Sequence, residues 1–203
     1  MEDIELIFRE MEEYAAENHV PIINARGRKA FLDVIREKKP HRVLEIGMAI
    51  GYSTLQIAEN SADDVRITTL ELSDERVGVA RSYIARSRYA DRIRILKGDA
   101  GELLTREVPQ DAPFDFVFID AAKGQYVDYF HKIQPLLADS AIILADNVLF
   151  RGYVRSEEKP PRRFRTIVKR LREYLELVTH TPGYSTVILE NGDGLAVTRR
   201  KKE

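Results

Sequence analysis

Apolar positions recur at helical spacing along the first forty residues, and then the texture changes. Ile4, Ile7, Phe8, Met11 and Ala15 fall three or four residues apart, which predicts a helix over 3–18 capped by Asp3. Pro21 breaks the chain, and a second helix is predicted from Asn24 to Lys38, ended by Lys38-Lys39 and Pro40. Beyond residue 40, short β-rich runs alternate with longer helical ones. Strands are predicted over 42–46, 65–71, 92–96, 115–120 and 141–146, with helices over 52–60, 74–89, 100–107 and 124–137 between them. Such alternation implies βαβ units and a parallel sheet with helices on both faces. The run Phe116-Val117-Phe118-Ile119 is wholly apolar until Asp120, and Ala141-Ile142-Ile143-Leu144-Ala145 is apolar until Asp146, as in strands buried on both faces.

After Asn147 the pattern loosens. Phe164, Ile167, Val168, Leu171, Leu175 and Val178 then predict a helix over 161–178. Strands over 184–189 and 195–198 follow, joined by Glu190-Asn191-Gly192-Asp193-Gly194, a hairpin signal. The end, 199–203, is expected to fray. Without a repeat or a low-complexity linker, the reading is one domain over 1–203, with two helices in 1–40 and an α/β core in 41–203.

Composition changes this picture little. Apolar residues are 44% and charged residues 32% of 203, which suits one globular domain with a full core. No apolar run approaches the roughly 18 residues that span a bilayer, so no membrane is expected as a partner. An acidic start (Glu2, Asp3, Glu5) argues against a signal peptide, and a cytoplasmic location is the expectation. With no cysteine there is neither a disulfide framework nor a thiolate metal site. The net charge of -1 hides an asymmetry: residues 1–17 carry seven acids against Arg9, while residues 151–172 carry nine bases against Glu157 and Glu158.

The chemistry collects at predicted strand ends. Gly47 and Gly51 follow the first strand in Leu44-Glu45-Ile46-Gly47-Met48-Ala49-Ile50-Gly51, where glycine permits a tight turn and close backbone approach to a ligand. The spacing is not G-x-G-x-x-G, which weakens a nicotinamide or flavin reading. Glu45 suits the sulfonium or amino-acid end of a cationic cofactor and would repel a phosphate. Glu71, closing the second strand 20 residues after Gly51, can accept hydrogen bonds from both ribose hydroxyls of an adenosine. After the third strand, Asp99 can take the adenine amino group and the Ala100 N–H a ring nitrogen. Singly, each is also readable as a loop glycine or a helix cap; together they favour an adenosine cofactor without a pyrophosphate.

Asp120 ends the fourth strand and Asp146-Asn147 the fifth, so parallel pairing would bring three oxygen donors to one edge. Two carboxylates and an amide suit Mg²⁺, or another hard divalent ion such as Mn²⁺ or Ca²⁺, with positions left for water or substrate. Lys123, three residues past Asp120, would be disfavoured as an ammonium beside such an ion and could serve as a general base. A solvent-facing lysine and helix-capping acids are the plainer alternatives.

These residues carry a family likeness over roughly 10–200. Leu-Glu-Ile-Gly-x-x-x-Gly-Tyr-Ser (44–53), Phe-Ile-Asp-Ala-Ala-Lys (118–123) and Asp-Asn-Val-Leu (146–149) resemble the cation-dependent O-methyltransferases, the group of catechol and caffeoyl-coenzyme A O-methyltransferases. The resemblance implies a class I methyltransferase fold, a Rossmann-like, seven-stranded, mostly parallel sheet with its last strand antiparallel, and S-adenosyl-L-methionine as methyl donor. It implies Asp120, Asp146 and Asn147 as metal ligands and Lys123 as base. It places Glu45, Gly47, Ser53, Glu71, Asp99, Ala100 and Asp120 at the cofactor, and implies a homodimer. Small-molecule members usually carry a second acid where Ala122 stands. The string Asp120-Ala121-Ala122-Lys123-Gly124-Gln125-Tyr126 instead resembles bacterial tRNA 5-hydroxyuridine methyltransferases, which make 5-methoxyuridine at the wobble position. On that reading tRNA is the partner and Arg151, Arg155, Arg162, Arg163 and Arg165 meet its phosphates, with Tyr126 or Phe150 stacking on the base. Two other readings stay open: methylation of a small catechol-like metabolite, and a non-catalytic RNA-binding protein that keeps the fold.

Overall fold

In a computed structural model, residues 2–23 and 25–201 are described, which leaves the predicted helix start at Asn24, and Lys202 and Glu203 of the predicted frayed end, outside the described residues. Two helices, α1 (Ile4–Glu17) and α2 (Ala25–Lys38), precede β1 (Arg42–Ile46), α3 (Tyr52–Asn60), β2 (Arg66–Glu71), α4 (Asp74–Arg86), β3 (Ile93–Lys97) and α5 (Ala100–Arg106). Then come β4 (Phe114–Ile119), α6 (Tyr126–Ile133), β5 (Leu137–Asp146), α7 (Arg165–His180), β6 (Tyr184–Leu189) and β7 (Leu195–Arg200). The seven strands form one sheet in the order β3-β2-β1-β4-β5-β7-β6. All neighbours pair parallel except at β7, which runs against both β5 and β6. This is the sheet expected from the sequence. Among the described residues no helix is long and apolar enough to cross a membrane.

Alternation along the strands splits the core into two layers. Val43, Phe116 and Phe118 pack with α1, α2, α3 and α4, whereas Leu44, Ile46, Val117 and Ile119 pack with α5, α6 and α7. The N-terminal helices belong to the first layer. Asp3 caps α1 by accepting from the Glu5 N–H at 3.1 Å, and the buried stripe Ile7, Phe8, Met11 and Ala15 faces the core. Phe8 meets the ring of Tyr52 edge-on at 5.6 Å, and Phe31 of α2 lies 4.8 Å from Phe118 of β4. Arg86 of α4 pairs with both Glu2 and Glu10, tying α1 to α4.

Several predicted boundaries move. The helix expected over 124–137 is only α6, flanked by 3₁₀ turns at Lys123–Gln125 and Gln134–Leu136. Pro135 offers no N–H to continue the helix, and Leu137 already pairs with Phe114, so β5 begins four residues earlier than predicted. The helix expected to reach 89 stops at Arg86, where Ser87 turns back its N–H to Ile84. Arg199 and Arg200, expected to fray, continue β7 as register partners of Ile142 and Tyr184.

One glycine fixes how the central strand ends meet. The Asp120 N–H donates to the Ile46 carbonyl at 2.9 Å, and the N–H groups of Gly47 and Met48 both donate to Leu70 at 3.0 Å, so the turn after β1 is tied to β4 and β2. Gly47 sits at φ +98°, and a Cβ there would stand 2.2 Å from the Asp120 carbonyl oxygen. Only glycine satisfies both constraints. Gly47→Ala is expected to lower unfolding free energy by about 2–4 kcal/mol through strain and collision, read in urea denaturation; a loss under about 0.5 kcal/mol, the range of an ordinary surface change, would contradict the stated packing.

Candidate active site

A cavity of about 640 Å³ opens at the carboxyl ends of β1, β2, β4 and β5, within the usual range for small-molecule sites. One corner of it follows from strand register. Ile119 of β4 pairs with Ala145 of parallel β5, so the next residues, Asp120 and Asp146, leave adjacent strands side by side. Both line the cavity together with Lys123 and Asn147. Lys123 Nζ lies 2.6 Å from Asp120 Oδ1 and donates to the Tyr126 hydroxyl at 2.9 Å. That hydroxyl sits within 3.1 Å of the Asp146 carbonyl and 3.2 Å of the Ile119 carbonyl, so Tyr126 ties the ends of β4 and β5 beneath the amine. Asn147 adopts a left-handed φ of +56°, which asparagine tolerates best among residues with a side chain, and its N–H donates to Asp146 Oδ1 at 2.7 Å.

The corner is electrostatically loaded. Burial, and then the neighbouring Asp120 carboxylate, push the Asp146 carboxyl up to about 7 against the pull of Lys123. Among the described residues no three Asp, Glu, His or Cys side chains gather to hold a metal ion. The oxygen donors that line this corner are two carboxylates and the Asn147 amide, a set that would fit a hard divalent ion.

The cofactor half is partly as expected. Gly47, Ser53, Glu71, Asp99 and Ala100 all line the cavity. The Glu71 carboxylate accepts from the N–H groups of Ala49 (2.8 Å), Leu72 (3.0 Å) and Ser73 (2.9 Å), which fixes its orientation at the rim. Asp99 also caps α5, accepting from the Glu102 N–H at 3.1 Å, so the capping role is real and coexists with a place in the wall. Glu45 departs from expectation. It is fully buried, is not part of the cavity wall, and accepts from Ser53 Oγ and Thr69 Oγ1, both at 2.5 Å, and from Thr54 Oγ1. Burial pushes its carboxyl up, and the three hydroxyls oppose that. Glu45 thus orients Ser53 and the start of α3 from below and does not face a cofactor directly.

Two further expectations are corrected. Tyr126 is completely buried with its hydroxyl engaged, so it cannot stack on a substrate base. Phe150 remains partly exposed, but its ring already meets Phe164 edge-on at 5.3 Å. The basic segment is also less free than its charge implies. Arg155 pairs with Glu190, Lys169 and Arg170 share Glu173, and Arg172 is spent on the carbonyls of Tyr153, Val154 and Ser156. Arg165 reaches the Pro160 carbonyl at 3.4 Å. Arg151 and Arg163 lie over the Phe164 ring at 5.3 and 4.6 Å, making an arginine–aromatic surface beside Phe150.

Sequence reasoning missed Asp193 as a wall residue. Its carbonyl accepts from Leu149, its carboxylate accepts from the Arg151 N–H at 3.2 Å, and its charge helps raise Asp146. The signal was present in Gly192-Asp193-Gly194, read as a hairpin turn and not as a wall of the site. Gly194 follows at φ +84°, with its Cα hydrogen edge against Leu149, where a Cβ would come within 2.5 Å of Cγ. Pro21, Ile22 and Ile23, between α1 and α2, form another stretch of wall that no sequence signal marked beyond the break at Pro21.

An acid whose folded-state pKa exceeds its ordinary value loses folding stability once ionised. The metal-free protein is therefore expected to become less stable as pH rises from 3.8, the ordinary value for Asp146, to about 7. Asp146→Asn should flatten that slope and melt above the parent at pH 8 in chelator. Parallel melting curves for the two proteins across this range would contradict the assignment.

A family model described as "O-methyltransferase" matches residues 2–201. A catechol O-methyltransferase from Niastella koreensis is 33% identical over 145 residues, covering 70% of this chain and 66% of its own. A Staphylococcus aureus crystal structure, named only provisionally as a caffeoyl-CoA O-methyltransferase, superposes with TM-score 0.86 at 34% identity, covering 95% of this chain and 91% of its own. An O-methyltransferase from Bacillus cereus, solved in complex with SAH, gives TM-score 0.83 at 27% identity over 99% and 92% of the two chains. The match of nearly the whole chain, together with the strand-end site, means that this chain belongs to the O-methyltransferase family.

Proposed function

We propose that this protein transfers the methyl group of S-adenosyl-L-methionine to a hydroxyl oxygen with the help of a divalent cation, Mg²⁺ being the natural choice, and that its acceptor is 5-hydroxyuridine at the wobble position of tRNA. The observation that carries the methyl-transfer reading is the convergence of Asp120, Lys123, Asp146 and Asn147 on one wall of a cavity whose other wall is the Gly47 turn with Glu71 and Asp99. Glu71, anchored by three N–H groups, is set to accept from ribose hydroxyls, and Asp99 with the Ala100 N–H to meet adenine. When bound, the cofactor supplies a methyl carbon on a sulfonium, whose S–C bond breaks toward sulfur as the new C–O bond forms. A divalent cation on Asp120, Asp146 and Asn147 would offset their crowded charge and favour the ionised form of a nearby hydroxyl. With a divalent cation beside it the Lys123 ammonium would be disfavoured, and in its uncharged form Lys123 Nζ, held between Asp120 and Tyr126, would receive the acceptor proton. Positioning by these fixed groups does most of the remaining work.

The tRNA acceptor rests on three supports. The O4 and O5 oxygens of 5-hydroxyuridine form a vicinal pair like that of a catechol. Ala122, a cavity residue, replaces the acid usual in small-molecule members. The arginine–aromatic surface of Arg151, Phe150, Phe164 and Arg163 is joined to the cavity through Asp193, and among the described residues no carboxylate pairs with Arg151, Arg162, Arg163 or Arg165. A small catechol-like acceptor is the second reading, favoured by the name of the Niastella relative.

Labelled S-adenosyl-L-methionine, offered with tRNA from a strain lacking 5-methoxyuridine or with a set of catechols, separates the two. Label in tRNA is expected; label in catechol alone would move the acceptor to the second reading. Lys123→Ala should cut the rate about 10²–10⁴-fold while tRNA retention on filters stays within twofold or so. Replacing Arg162 and Arg163 together by Ala should weaken tRNA methylation about tenfold or more and flatten its salt dependence; an unchanged KM for tRNA would remove those residues from the interface.

A further inference from the structure

At the opposite end of the sheet, a second cleft of about 260 Å³ opens at the amino-terminal ends of β1, β2 and β3. Four arginines line it, Arg42, Arg66, Arg92 and Arg94, against two carboxylates, Asp91 and Asp111. Strand alternation explains why they converge. Arg42 and Arg66 are register partners in parallel strands, so their side chains leave one face of the sheet. Thr68, two residues after Arg66, lies on that face too and is the register partner of Arg94. Like charges at one register position repel, so nothing internal to the sheet favours Arg42 beside Arg66.

The internal partners do not neutralise the cluster. Asp111 Oδ2 accepts from Arg94 at 2.6 Å and from Thr68 Oγ1 at 2.9 Å, and Glu107 lies 3.9 Å from Arg94. The Arg42 guanidinium meets only the carbonyls of Asp111 and Ala112, at 3.0 and 3.4 Å, while its N–H donates to the Asp115 carboxylate at 2.8 Å, and Arg92 donates to the Asp63 carbonyl. Carbonyl partners leave the guanidinium charge in place. Among the described residues, the Arg66 guanidinium has no hydrogen-bond or ion-pair partner, and Arg92 has no carboxylate within ion-pair distance, although its charge helps hold the exposed Asp64 carboxyl down. A concave surface with unspent guanidinium forks matches phosphate oxygens in charge and geometry. The volume suits one phosphate or a linked pair; a whole cofactor would need more.

We propose that this cleft binds a phosphate-bearing anion, gripped by Arg66 and Arg92 with Arg42 and Arg94 alongside, at a site separate from the methyl-transfer cavity. The test is calorimetric titration of the full chain with inorganic pyrophosphate, metal-free and at constant ionic strength. Saturable binding is expected, weakened about tenfold or more by Arg66→Gln with Arg92→Gln, unaffected by Arg162→Gln with Arg163→Gln, and largely kept by Arg66→Lys. Without ligand at low salt, Arg66→Gln alone should melt no lower than the parent, since it removes the repulsion with Arg42, and it provides the weakened-binding readout should the double variant not fold. Competition identifies the source: displacement by ribose 5-phosphate alone indicates a free phosphate compound, and displacement also by an oligoribonucleotide lacking terminal phosphates indicates an RNA backbone. Absence of saturable binding, equal loss in the Arg162/Arg163 variant, or displacement by neither competitor would overturn the proposal.

Discussion

Two carboxylates leave adjacent parallel strands at one register position, and the protein must hold them there although they repel. Asp120 and Asp146 follow the paired residues Ile119 and Ala145, so neighbouring-strand spacing of about 4.8 Å sets their approach. The repulsion shows in Asp146, whose carboxyl is pushed up to about 7 by burial and by Asp120. Lys123 supplies one compensating charge, on Asp120. A second positive charge would relieve the pair, and this is the physical support for the proposed divalent ion.

The surrounding structure reads as a frame for that corner. Gly47 allows the β1 turn to press against the Asp120 backbone, Tyr126 ties the ends of β4 and β5 under the Lys123 amine, and the β6–β7 hairpin carries Asp193 to the mouth. Glu45 works one layer deeper, where three hydroxyls hold it in place and it in turn orients Ser53. The proposed chemistry thus rests on the ends of central strands whose inner residues are buried. On the proposed reading acceptor recognition would fall to the segment after β5, whose arginines are divided between internal pairing and exposed surface.

Much of this was legible beforehand because it depends on short-range pattern. Apolar runs that stop at Asp120 and Asp146 announce buried parallel strands and their functional ends together. What escaped depends on contacts between distant segments. Nothing local distinguishes Glu45, sealed under the cavity, from a carboxylate facing into it; the hydroxyls of Thr54 and Thr69 that seal it come from α3 and β2. Tyr126 offered the same ambiguity, and only packing against Tyr174 at 5.3 Å and the β5 carbonyl makes it a core residue. Leu137 looked helical because its partner Phe114 lies 23 positions earlier in the chain. Arg199 and Arg200 looked frayed because charge at a terminus ordinarily is, yet β7 pairs Arg199 with both β5 and β6 and Arg200 with β6.

The most direct test of the central claim is an anomalous difference map from crystals grown with S-adenosylhomocysteine and Mn²⁺. A single strong peak bounded by the side-chain oxygens of Asp120, Asp146 and Asn147, with the Lys123 amine beside it, is the predicted result. Ordered cofactor with no peak at that corner, or manganese bound only elsewhere on the chain, would contradict it.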